Sequence, residues 1–220
     1  MNELVDDSFL EFEDAARLAR IRKPRLRRWV TIGVVAPSRR LESPRRATVQ
    51  QGFSLGDVGY LHLLHHLRDQ RVTLHHAVEV MFHLMQRFGP PGETWQSATV
   101  TVANKRVIAF ASDEWKATVA VSGHEGAGQR LALEILADIL PSEITIETLL
   151  IPPQYLRNIE ISARKENGLP VIRGTRLQTA MVRRLADRYG PETVIRDYYD
   201  HISITAVRAC QAFEEWLDVA

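Results

Sequence analysis

Cysteine is nearly absent: Cys210 is the only one in 220 residues. That excludes an internal disulfide and any multi-cysteine zinc site, and it fits a reducing compartment. Long apolar runs are missing too. None approaches the ~18 residues that a membrane helix needs, so no membrane association is expected. The first seven residues carry Glu3, Asp6 and Asp7 and no base. This is the wrong chemistry for a secretory signal or an Arg-rich transit peptide, and a cytoplasmic protein is expected. Aromatics are sparse at 7%. No repeat and no low-complexity stretch occurs. Apolar residues at 45% and charged residues at 25% are ordinary for a soluble globular chain, which excludes collagen-like, mucin-like and wholly disordered classes. At ~150 residues per domain, the length allows one large domain or two small ones.

The net charge of +1 conceals an uneven distribution. Residues 1–16 hold six acids and no Lys or Arg. Residues 17–46 hold eleven Lys or Arg against the single acid Glu42, a local net of +10. Such a block points to a polyanionic partner, most often nucleic acid. The alternative is a solvated basic face.

Apolar spacing divides the chain. A short helix is expected over 13–20, with acids in its first turn where the helix dipole favours them. Ile21, Arg22 and Lys23 form a turn. Pro24 suits the first position of a second helix, on which Leu26, Trp29 and Val30 share one stripe. Arg28 lies opposite that stripe and Arg25 and Arg27 flank it. Gly33 can end this helix. Val34-Val35 and Thr48-Val49 are expected as the short strands of a wing. Ser54 to Asp57 has the form of a capping box and opens a helix to about Gln70. Thr73 caps another. Gly89-Pro90-Pro91-Gly92 closes the module. Alternation over 98–103, 106–111 and 115–121 predicts a three-strand meander. A helix over 129–140 and a strand over 144–151 follow. Three more helices are expected after Tyr155, one over 177–189 ended by Gly190, one begun by Pro191, and one capped by Ser203 or Thr205. The class is α+β and mostly helical, in three parts: 8–89, 95–153 and 154–220.

A recognition helix needs an apolar face toward its own domain and basic side chains toward the groove. The second helix has both. Arg22, Lys23, Arg25, Arg27 and Arg28, with Arg39, Arg40, Arg45 and Arg46 in the following wing, are the expected DNA-binding residues, the wing arginines gripping phosphates. The strings Leu10-Glu11-Phe12-Glu13-Asp14-Ala15-Ala16-Arg17-Leu18-Ala19, Pro24-Arg25-Leu26-Arg27-Arg28-Trp29 and Gly33-Val34-Val35 resemble the MerR-type winged helix-turn-helix. Phe53-Ser54-Leu55-Gly56-Asp57-Val58 and Leu67-Arg68-Asp69 extend the match to about residue 85. β-structure follows where that family has a long dimerisation helix.

A second motif is Gly168-Leu169-Pro170-Val171-Ile172-Arg173-Gly174-Thr175-Arg176-Leu177. A short apolar strand turns at Gly174, and Thr175 is expected to cap the next helix. The first N–H groups of that helix, with Arg173 and Arg176, would then form an anion-receiving corner; the alternative is that the arginines brace the turn. The string resembles the "GTR" domain of bacterial antitoxins encoded beside PIN-domain ribonuclease toxins, and the resemblance covers about 155–218. It implies a helical, helix-turn-helix-like module. With the N-terminal match, the chain looks like a VapB-type antitoxin. Arg173, Thr175 and Arg176 become candidate toxin-binding residues, because an arginine set among a toxin's carboxylates competes with metal and RNA phosphate.

Other features read more plainly. His62, His65, His66, His75, His76 and His83 cluster, and His62 and His66 have an i,i+4 spacing that can bind zinc or nickel. With no carboxylate or cysteine completing a site, neutral, partly buried histidines are expected. Gly123 to Gln129 lacks the residues of a phosphate loop and reads as flexible. Cys210 reads as a small buried residue, and Asp197, Asp200, Glu214 and Glu215 as exposed helix faces. No paired acid/base constellation occurs, so no enzyme and no cofactor are expected. The expected function is an antitoxin that neutralises a cognate PIN-domain ribonuclease toxin and binds operator DNA as a homodimer, with the strands of 97–121 pairing. The rival is a stand-alone MerR-like regulator whose central segment senses a ligand.

Overall fold

The computed structural model describes residues 7–42, 49–69, 71–88, 98–103, 106–111, 119–120 and 146–218. The fold is α+β and mostly helical. Its strands form small antiparallel sheets. Among the described residues no helix is long and apolar enough to cross a membrane.

Helix α1 (Phe12–Leu18) carries Glu13 and Asp14 in its first turn and Arg17 in its last, the polarity its dipole favours. It ends in a Schellman arrangement. Ile21 N–H bonds the Ala16 carbonyl at 2.8 Å and Arg20 N–H bonds Arg17 at 3.0 Å. Arg20 occupies the left-handed position at φ 56°, where glycine is the usual residue. Helix α2 (Lys23–Thr31) follows, with Pro24 in its first turn. Leu26 and Trp29 are buried on its inner stripe, each contributing ~1.5–3 kcal/mol of apolar burial. Gly33, at φ 74°, stops the helix with the same pair of bonds, Val34 N–H to Trp29 and Gly33 N–H to Val30.

The wing pairs β1 (Arg39–Glu42) with β2 (Val49–Gly52), Arg40 opposite Gln51. The expected first strand at Val34-Val35 is not used. Val35 is buried in the core and Val34 packs against it, so the pair serves packing rather than a ladder. The second strand begins at Val49 and runs beyond the expected Thr48-Val49 pair. Helix α3 (Leu55–Asp69) opens with the expected capping box: Asp57 N–H bonds Ser54 Oγ at 3.0 Å and Ser54 N–H bonds Asp57 Oδ2 at 2.8 Å. Helix α4 (Leu74–Phe88) is preceded by Thr73, whose Oγ1 accepts from His76 N–H.

The meander forms in the order β3 (Ala98–Ala103), β4 (Arg106–Ala111), β5 (Val119–Ala120). The expected helix over 129–140 and the glycine-rich loop at 123–129 lie outside the described residues. The strand expected over 144–151 is instead helix α5 (Ile146–Leu150), in which Ile151 N–H bonds Glu147 at 2.8 Å. Leu149, Leu150 and Ile151 are all buried. A short fully apolar run suits a buried helical turn as well as a strand, and here it lies against α3.

Strands β6 (Ile159–Glu160) and β7 (Val171–Ile172) pair as a small ladder. Helix α6 (Thr179–Tyr189) begins with Gln178 as its cap, two residues later than expected. Helix α7 (Pro191–Thr193) runs into a π-helical turn at Val194–Tyr198. Helix α8 (Ile204–Asp218) is capped by Ser203, whose Oγ accepts from Ala206 N–H at 3.1 Å.

One apolar core joins the two ends of the chain. Leu18 and Leu26 share it with Leu61 of α3, Ile159 of β6 and Phe213 and Leu217 of α8. A smaller cluster around Val182, Val207 and Cys210 holds α6 to α8. Arg20 stacks over the Trp216 ring at 4.2 Å, and Arg17 pairs with Glu214 and with Asp218. α1 and the α1–α2 turn are thus clamped onto α8.

Candidate nucleic-acid interface

The buried stripe of α2 decides what its other face presents. With Leu26 and Trp29 turned inward, Arg22, Lys23, Arg25, Arg27 and Arg28 are all exposed. They are not equivalent. Lys23 Nζ pairs with Glu13 at 2.6 Å, and Arg25 Nη1 meets His65 Nδ1 at 3.2 Å. The Arg27 guanidinium lies 5.8 Å from the Phe12 ring centre, a stacking contact that leaves its charge at the surface. The side chains of Arg22 and Arg28 make no ion pair or hydrogen bond among the described residues.

The wing is tied to the same body. Asp57 Oδ2 accepts the Ser38 N–H at 3.4 Å as well as the Ser38 hydroxyl. The capping carboxylate of α3 therefore also fixes the start of β1. Arg40 is exposed and Arg39 is half-buried. Gly52, opposite Arg39, leaves room for the Phe9 ring, which lies 2.6 Å from where a β-carbon would sit. Arg45 and Arg46 lie outside the described residues.

Behind α2 the structure adds something the sequence pattern does not assemble. A cleft of about 440 Å³ lies between the α1–α2 turn and α3. Arg20, Arg22 and Arg25 line one side, and His62, His65 and His66, with Asp69, line the other. Burial, reinforced by neighbouring His66, His65 and Arg20, pushes the His62 imidazole down to about 3, against a ring N–H that faces the Ala19 carbonyl. His65 is lowered by burial and by Arg25 and Arg20, with Asp69 opposing. His66 is lowered by burial, again opposed by Asp69. The spacing of 62, 65 and 66 is the signal in the sequence: it sets three imidazoles on one helix face.

The C-terminal residues sort differently from expectation. Arg173 bonds the Leu156 carbonyl at 2.8 Å and the Ile159 carbonyl at 3.0 Å, and pairs with Glu147. Those contacts brace β6 and α5, while the side chain stays 40% exposed. Thr175 Oγ1 donates to the Ile172 carbonyl at 2.9 Å and accepts from Leu177 N–H at 3.0 Å. It closes the turn at Gly174 (φ 79°) and does not cap α6, so no helix terminus stands at that turn. Arg176 is exposed and makes no ion pair or hydrogen bond among the described residues.

On α8, one residue departs from expectation and one meets it. Glu214 is buried, 1% exposed, where an exposed face was expected. It accepts from Thr179 Oγ1 and Arg17 Nη2. Its spacing from Val207, Cys210 and Leu217 places it on the inward stripe of α8. Cys210 is buried as expected, and that burial pushes its thiol up to about 12. No family model, no curated protein and no solved structure matches the chain.

Proposed function

We propose that this protein binds duplex DNA through α2 and the β1–β2 wing, and that it acts as an antitoxin repressing its own operon from the cytoplasm as a homodimer. One observation carries the DNA-binding reading. The outward face of α2 holds Arg27 and Arg28, with Arg22 just before the helix, and no carboxylate of the described residues pairs with any of the three, beside a wing bearing the exposed Arg40. Arginine forks suit phosphate oxygens and the O6/N7 edge of guanine. Two-fold pairing would extend a contact too small for high specificity alone. The C-terminal module would carry the toxin-facing surface, with Arg176 as its uncommitted cation toward the acidic site of a PIN-domain ribonuclease.

Fluorescence anisotropy with the promoter DNA of its own gene tests this. Arg27→Ala with Arg28→Ala should weaken binding at least tenfold at ~0.1 M salt. It should also flatten the plot of log affinity against log salt by about two units, one for each phosphate no longer neutralised. Unchanged affinity and slope would reject the assignment. The stand-alone regulator is the second reading, favoured because Arg173 is committed to Glu147 and to two carbonyls. Co-purification with a PIN-domain protein encoded by the adjacent gene separates the two.

A further inference from the structure

The cleft behind α2 has a chemistry of its own. Three guanidiniums stand in its wall against one carboxylate, Asp69. The Arg22 side chain has no partner among the described residues, and that of Arg25 meets only the ring nitrogen of His65. Arg20 is held in place by Trp216, and the left-handed backbone at Arg20 directs the turn here. Three buried polar atoms of the lining residues, Arg20 Nε, His62 Nδ1 and His66 Nε2, lack any hydrogen-bond partner. Buried polar groups are normally paired, and each exception asks for an explanation. A metal cation fits poorly, although His62 and His66 have a ligand-like spacing. The guanidiniums repel it, and among the described residues no group of three or more His, Cys, Asp or Glu is placed to hold one. A compact oxyanion fits: it accepts from arginine forks, and its charge offsets theirs.

We infer that this cleft binds a phosphate group, with Arg20, Arg22 and Arg25 as its cationic donors and His65 and His66 as groups that take up a proton when the anion enters. The surroundings of these imidazoles set the direction of the coupling. His65 faces Arg20, Arg25, His66 and Asp69, and His66 faces Asp69, with His62 adjoining both. Burial and the arginines disfavour the charged form of His65, and burial disfavours that of His66. An anionic phosphate placed among them opposes that balance and favours the charged imidazoles. Binding therefore draws protons from solution, and affinity for an anion of fixed charge rises as pH falls. The phosphate has two sources, the backbone of bound DNA or a soluble phosphate ester. The inference does not depend on the DNA-binding proposal, because the anion can be titrated without a duplex.

Calorimetric titration of the full chain with inorganic phosphate tests it, with sulfate as a probe that stays dianionic between pH 6 and 8. Expected are saturable binding, a heat that varies with the ionisation heat of the buffer, and sulfate affinity that rises at least threefold from pH 8 to pH 6. Arg22→Gln with Arg25→Gln should weaken phosphate at least tenfold. Asp69→Asn should strengthen it about threefold, a change that a damaged fold would not produce. Absence of saturable heat at millimolar phosphate overturns the inference. So does affinity that survives the arginine double variant, or that ignores pH. Adding the promoter duplex then separates the sources: displacement of phosphate assigns the cleft to the DNA backbone, and simultaneous binding assigns it to a soluble phosphate ester.

Discussion

Glu214 offers the sharpest test of how the chain is held together. Its carboxylate is buried, 1% exposed, between Arg17 of α1 and Thr179 of α6. Glu214→Ala removes the acceptor of both. Breaking a buried ion pair from one side costs ~3–5 kcal/mol when the remaining charge is stranded. Here Arg17 is not fully stranded. Its side chain is 30% exposed, and its Nε keeps Asp218 at 3.1 Å. Thr179 keeps the Pro170 carbonyl at 3.4 Å. The cost therefore falls at or below the bottom of that range, about 2–3 kcal/mol. Glu214→Gln keeps the shape and an acceptor for Thr179 while losing the charge, and should cost about 1–2 kcal/mol. Urea unfolding followed by tryptophan fluorescence measures both, since Trp29 is buried and Trp216 is half-buried beside Phe213 and Arg20. With a slope of ~2 kcal/mol per molar urea, the alanine variant should unfold about 1 M earlier than the parent. A solvent-exposed glutamate would change stability by less than ~0.5 kcal/mol. An alanine midpoint within ~0.2 M of the parent would show that the clamp between the chain ends carries no weight.

Two other outcomes follow from backbone and burial. Arg71 is exposed and sits at φ 64° at the end of α3, so Arg71→Gly should stabilise by up to ~1 kcal/mol, read as a higher midpoint; a loss of stability would contradict the left-handed assignment. The lowered histidines make the fold acid-sensitive early. His62, down to about 3, with His65 and His66, binds protons more readily in the unfolded chain. Their contribution is complete above pH ~6.5 and is lost as pH falls toward the folded values. His62 alone should cost up to about 2 kcal/mol between pH 7 and pH 5, and His62→Gln should flatten that slope. A stability profile that is level over this interval would refute the burial.

Much of the N-terminal half was legible because its signals are local. Pro24, Gly33, the Ser54–Asp57 box and Thr73 act within a few residues of themselves, and each stands where its chemistry requires. The exposed basic face of α2 followed directly from the spacing of Leu26 and Trp29. What was not legible depended on partners far along the chain. Ile146–Leu150 is an apolar run whose helical state is decided by packing against α3. Val34-Val35 has strand propensity, yet the core behind α2 claims it. Glu214 read as exposed because a lone acid usually is, and its partners, Thr179 and Arg17, lie 35 and 197 residues earlier in the chain. Arg173 is exposed, as its place at the turn suggests, but its partners, Glu147 and the carbonyls of Leu156 and Ile159, arrive from other elements.

The basic block shows why a charge count overstates an interface. Residues 17–46 carry eleven cations, but position assigns them different work. Arg17 answers Glu214 and Asp218, Arg20 covers Trp216, Lys23 answers Glu13, and Arg25 meets His65. Those four hold α1, α2, α3 and α8 together. Of these, Arg17 and Lys23 face carboxylates, so their charge is largely compensated before the encounter and they release few counterions on meeting a phosphate. The electrostatic pull on a duplex then rests on Arg22, Arg25, Arg27, Arg28 and Arg40 among the described residues. The paired cations act indirectly, by setting the angle at which α2 is offered. Neutralising an uncommitted arginine should change the salt dependence of binding. Neutralising Arg17 should change stability first, and affinity only through the loss of the folded state.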